Sequence, residues 1–130
     1  MHLETKLRQR LAHDEGGFTL IELLVVLVII GILLAIAVPS YLGFKDRANK
    51  KAAAADVRAA IPTAEAYYSD NNTYVGMTTT NMKAIDSGLS TAINKVSGLT
   101  ATTYCIQATV GGFNFKVNGP GGTVTNGTCP

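Results

Sequence analysis

The chain has 130 residues, 11 lysines and arginines against nine carboxylates, and a formal net charge of +2. That charge is too small for a nucleic-acid footprint, and the length leaves room for one modest domain. Two histidines (His2, His13) and two cysteines (Cys105, Cys129) complete no set of metal ligands, so no metal and no cofactor is expected.

Residues 1–17 form a charged leader carrying Glu4, Lys6, Arg8, Arg10, Asp14 and Glu15, closed by Gly16-Gly17. From Phe18 to Val38 there follow 21 residues whose only ionisable side chain is Glu22. At about 1.5 Å per helical residue this run just crosses the roughly 30 Å core of a bilayer. A charge at the bilayer centre costs about 2.5–3.5 kcal/mol, so Glu22 calls for a partner. An ordinary secretory signal is cut beyond its apolar stretch. Here Ala35-Ile36-Ala37 runs straight into Val38-Pro39, and the small-residue site lies on the other side, at Gly17. Cutting there makes the apolar segment the new N-terminus and removes both histidines.

Beyond Pro39 the pattern turns amphipathic. Asp46 and Lys50 have the spacing of a helical pair, and Lys45, Arg47 and Lys51 add a basic collar. Ala52 to Ala55 favours helix, and Ala54, Val57, Ile61, Ala64 and Tyr68 recur at steps of 3 and 4. These signals predict one nearly continuous helix from about Phe18 to Tyr68, kinked at Pro62 and ended by Ser69-Asp70-Asn71-Asn72. Two weakly helical pieces are expected near Asn81–Asp86 and Ser90–Val96. Tyr104–Val110 and Phe113–Val117 read as strands joined across Gly111-Gly112, and Asn118 to Gly122 as a turn. A third short strand is expected at Thr123–Thr125. The fold class is therefore α+β, a long N-terminal helix packed on a small antiparallel sheet. Its divisions are a leader at 1–17, a membrane or fibre-core helix at 18–40 and a head at 41–130.

Gly17-Phe18-Thr19-Leu20-Ile21-Glu22, the run Leu23–Val38 and Pro39 resemble the class III signal of type IV pilins and related pseudopilins. Downstream, Ala64 to Tyr74 is similar to the helix exit often seen in that family. The resemblance implies the ladle shape of a pilin. It implies a prepilin peptidase that cuts after Gly17 and methylates the new amine of Phe18. Glu22 is then expected to neutralise the terminal amine of a neighbouring subunit, an assembly register strengthened by the low dielectric. The bland alternative is a Glu at the headgroup boundary that reaches water or its own terminus.

Pro39 deletes a helical hydrogen bond at about 3 kcal/mol, and Gly31 weakens its turn by roughly 1 kcal/mol. The two positions resemble those that bracket a melted segment in assembled type IV filaments; a gentle kink in a membrane helix is the other reading. The aliphatic side chains from Leu20 to Val38 face lipid before assembly and sister helices after it, with little net gain between the two. Extraction therefore needs energy, which the resemblance assigns to a cytoplasmic ATPase and an assembly platform protein. Cys105 and Cys129 are expected to bond to each other in an oxidising compartment, the alternative being two free buried thiols. A C-terminal loop closed by cysteines also resembles the loop many type IV pilins present on their surface.

Weaker signals are the sequons Asn71-Asn72-Thr73 and Asn126-Gly127-Thr128, and Thr78-Thr79-Thr80 as acceptors of O-linked sugar. A calcium loop at Asp70, Asn71 and Asn72 competes with a plain turn. Charge bias gives no orientation, since three basic residues precede the segment and four follow it. The leading expectation is a structural protein, a major pilin held in the cytoplasmic membrane by one span and then polymerised into a surface filament for adhesion, motility or DNA uptake. A type II secretion pseudopilin is the nearest rival, and a DNA-binding minor pilin a second. A tethered enzyme finds no support, because the cleaved chain keeps six carboxylates and no histidine.

Overall fold

In the computed structural model of the protein, residues 17–130 are described; the leader, apart from Gly17, lies outside them. The described elements run α1 (Leu20–Asn71), α2 (Thr79–Ile85), β1 (Ile93–Ser97), β2 (Tyr104–Val110), β3 (Phe113–Gly119) and β4 (Thr125–Asn126). A division between Leu42 and Gly43 separates two units, the first being the apolar part of α1 and the second everything after it.

Helix α1 is 52 residues long and passes through both Pro39 and Pro62. At Pro62 the reason is positional. Pro62 and Arg58 are both exposed, so the carbonyl that loses its helical donor faces water. The helix ends at Asn71, three residues later than the composition suggests. Asn72 takes φ 58°, and its amide reaches the Tyr68 carbonyl at 2.6 Å, the role glycine usually fills after a helix.

The buried face of α1 differs from the predicted stripe by about one residue. Ala53, Val57, Ala60, Thr63, Ala64 and Tyr67 are buried, whereas Ala54, Ile61 and Tyr68 lie at the margin. Val57 and Ala64 of the predicted stripe are buried as expected, but the small Ala60 takes the core position in place of the bulky Ile61, and Tyr67 in place of Tyr68. Met77, Met82, Ile106 and Val117 fill the space opposite. Each such fully buried side chain is worth about 1.5–3 kcal/mol.

The sheet has four antiparallel strands in the order β1-β2-β3-β4. Strand β1 stands where the composition predicts a weakly helical piece, Ser90–Val96. Only Ile93 is buried in it, and a bulge falls between Ile93 and Lys95, so no alternating pattern survives to announce a strand. Its antiparallel ladder to β2 takes β2 off the sheet edge. The last strand is Thr125–Asn126 rather than Thr123–Thr125, paired with Phe115 and Lys116.

Strand β2 is buried on both faces. Tyr104, Ile106 and Ala108 join the core shared with α1. Cys105 and Gln107 point the other way, as the two-residue period of a strand requires, and are covered by the C-terminal tail. Across the β2–β3 ladder Tyr104 pairs with Gly119, and a Cβ on that glycine would run into the tyrosine ring. Gly111 and Gly112 at the hairpin turn have φ 57° and 85°, the conformation of a two-residue primed turn. A Cβ on Gly111 would strike Asn49 of α1, and Lys50 holds its ammonium 5.0 Å from the Phe113 ring centre. Asn49 and Lys50 thus pack the helix against the hairpin.

Candidate functional site

The apolar terminus is organised by a local device. Thr19 precedes the first helical residue, and its hydroxyl accepts from the Glu22 amide at 3.2 Å. The Glu22 carboxylate reaches back and accepts from the Thr19 amide at 3.4 Å. Thr19-Leu20-Ile21-Glu22 is therefore a capping box, two orphan donors of the first turn satisfied reciprocally. A negative charge in this turn also opposes the positive end of the helix dipole. The carboxylate is held one residue from Phe18, where cleavage after Gly17 would expose an amine. Thr19 was missed as a site residue in the sequence reading, although the T-x-x-E spacing announces it.

Phe18 is 70% exposed and Leu20 85% exposed, and the large apolar side chains from Ile21 through Phe44 are exposed as well. A continuous apolar surface of this size is far larger than a soluble monomer leaves bare. The segment is long and apolar enough to cross a membrane. At Gly31 an added Cβ would meet nothing within 4 Å, so no packing inside the chain demands glycine there. Around Pro39 the helix continues, and the Ser40 hydroxyl donates to the Ile36 carbonyl at 3.4 Å.

At the other end of the chain Cys105 and Cys129 are bonded, with Cα atoms 5.8 Å apart across 24 residues. Beside them the buried Gln107 side chain accepts from the Cys129 amide at 2.9 Å and donates to Thr109 at 3.4 Å. Bond and hydrogen bond together fasten the tail onto the outer face of β2. Gln107 gave no sequence signal, because a lone glutamine in an alternating strand reads as a solvated residue.

The weaker signals sort themselves by contact. Asn71 donates its side-chain amide to the Tyr67 carbonyl at 3.0 Å, closing the helix end. Asn126 is exposed in β4. Thr78 caps α2, its hydroxyl accepting from the Asn81 amide while the Asn81 side chain accepts from the Thr78 amide. Among the described residues no group of three histidine, cysteine or acidic side chains could hold a metal ion.

Comparison with known proteins agrees on one family. Residues 13–38 match the family described as the prokaryotic N-terminal methylation motif. The chain is 41% identical over 97 residues to the type IV wide pilus major component of Thermus thermophilus, covering 71% of each protein. It is 38% identical over 81 residues to a type II secretion system core protein G of Aeromonas hydrophila, covering 62% of this chain and 51% of that one. A type IV major pilin protein of Myxococcus xanthus is 40% identical over 58 residues, 26% of its length.

Proposed function

The chain belongs to the type IV pilin family, which includes the type II secretion pseudopilins, and from that membership we propose that it is the repeating subunit of a type IV pilus. The observation that carries this reading is its 41% identity to a major pilus component over 71% of both chains. The exposed apolar half of α1 supports it, since such a surface suits lipid and then sister helices. In this reading a prepilin peptidase cuts between Gly17 and Phe18 and methylates the Phe18 amine. A single-pass precursor waits in the cytoplasmic membrane until the assembly machinery, with its platform protein and ATPase, draws it into a cell-surface fibre. The subunit carries no catalysis of its own.

Glu22 has two partners within this scheme. Its carboxylate is preformed by the capping box, so it meets the incoming amine of a neighbouring subunit at little entropic cost. Segment 31–39 is the part of α1 that yields under load, since Gly31 and Pro39 weaken the helix at its two ends.

The second reading is a type II secretion pseudopilin, favoured by the 38% identity to a core protein G. One experiment separates the two. Fibres sheared from the cell surface are imaged and their subunit is weighed by mass spectrometry. Long fibres built of a subunit starting at methylated Phe18 are expected; short periplasmic assemblies of the same subunit favour secretion. A protein found persistently uncut and unassembled refutes both.

A further inference from the structure

A small pocket on the head lies apart from the apolar terminus and the disulfide-bonded tail. Glu65, Tyr68, Tyr74, Thr102 and Pro120 line a solvent-open pocket of about 290 Å³. The Tyr68 and Tyr74 rings stand 4.8 Å apart at 35°, and Tyr74 rests in turn on Tyr104 at 4.8 Å and 55°. The Tyr74 hydroxyl donates to Glu65 Oε1 at 2.9 Å. This orients the carboxylate in the pocket lining, and among the described residues its second oxygen accepts no further side-chain hydrogen bond.

We propose that this pocket binds a primary alkylammonium group, the chemistry of a lysine side chain. Three features of the walls select it. First, Glu65 carries a negative charge for which the helix supplies no counter-ion: its neighbours one turn away are Ile61, Pro62, Tyr68 and Ser69. Among the described residues no lysine or arginine pairs with it. Second, tyrosine faces attract cations through their quadrupole. The half-buried Tyr68 supplies the accessible ring, and the buried Tyr74, packed between Tyr68 and Tyr104, backs it. Third, Pro120 and the Tyr68 ring offer apolar surface to methylenes, and the Thr102 hydroxyl offers an acceptor to an ammonium hydrogen. The electrostatics agree: burial first, then the hydrogen bond and charge of Glu65, push the Tyr74 hydroxyl up to about 12. A neutral sugar satisfies the rings but leaves the carboxylate uncompensated, and an anion is repelled by it.

The test uses the full chain in maltoside micelles, whose headgroup is uncharged, with the tyrosine rings isotopically labelled for NMR. Titration with n-butylammonium chloride at constant ionic strength is expected to shift the Tyr68 and Tyr74 resonances saturably, with a dissociation constant on the order of millimolar. n-Butanol, the neutral isostere, is expected to leave them in place. Glu65→Gln keeps an oxygen for the Tyr74 hydroxyl and hence the fold, and is expected to weaken binding roughly tenfold. Absence of a saturable shift, equal shifts with butanol, or unchanged affinity in Glu65→Gln overturns the proposal. A carbodiimide arm identifies the source of the ammonium. Coupling of Glu65 to a lysine of another copy assigns it to this chain. Butylammonium binding without such coupling assigns it to a free amine.

Discussion

Thr19 and Glu22 grip one another across the first turn of α1, each side chain accepting from the other's backbone amide at 3.2 and 3.4 Å. Glu22 therefore caps its own helix, and in the proposed assembly it also offers a charge to a partner. The two roles separate by substitution. Gln still completes a capping box but carries no charge. Glu22→Gln is expected to preserve membrane insertion and helix content while abolishing fibres, and Thr19→Val to reduce fibre yield less severely. Normal fibre yield from Glu22→Gln would leave Glu22 as a cap alone.

The segment between Gly31 and Pro39 is the next to probe. Pro39→Ala returns an amide donor to the Ala35 carbonyl, worth up to about 3 kcal/mol, or roughly a hundredfold in the opening equilibrium. Amide hydrogen exchange through residues 31–39 of the full chain in micelles should slow accordingly. Gly31→Ala, at a site with no neighbour within 4 Å, should slow it about fivefold. Fibres of the double variant are expected to stretch less under load, and unchanged exchange in both variants would remove the weak-segment idea.

The tail is held by a covalent bond and a buried hydrogen bond acting side by side. The Cys105–Cys129 bridge closes 24 residues, a length for which chain entropy gives about 3–4 kcal/mol. For a head of this size, Cys129→Ser should lower the thermal midpoint by roughly 15 °C or more. Gln107→Leu leaves the Cys129 amide without its acceptor and should cost about 1–3 kcal/mol with the disulfide intact. Calorimetry of the full chain reads both effects.

Alkaline pH should loosen the same head from the opposite side of the sheet. Tyr74 and Tyr104 are both pushed up to about 12, chiefly by burial and further by Glu65. Their folded values lie above the ordinary value of 10, so the unfolded chain loses its protons first as pH rises. The stabilisation is complete below about pH 10 and drains away between pH 10 and 12. Tyr74→Phe removes one of the two groups, and its stability should fall less steeply than that of the parent across that interval. Parallel curves would show that Tyr74 is not the group responsible.

The local elements were legible in the sequence because their signals are local. An apolar run with one carboxylate, a glycine pair between two alternating stretches and an Asn-rich helix exit each act within a few residues, and α1, β2 and β3 follow them closely. Strand β1 was not legible, since Ile93–Ser97 holds one buried residue and a bulge and exists through its ladder to β2. The rotation of the α1 stripe was equally hidden, because sequence counts apolar residues but does not weigh Ala60 against Ile61 for fit.

The same division applies to function. The methylation-type motif and the apolar helix are readable from residue identity along one stretch of chain. That Gln107 fastens the tail and that Glu65, Tyr74 and Thr102 share a pocket emerges only in three dimensions. Gln107 and Cys129, like Thr102 and Glu65, lie far apart in the chain, and only the closing of the sheet against α1 makes them neighbours.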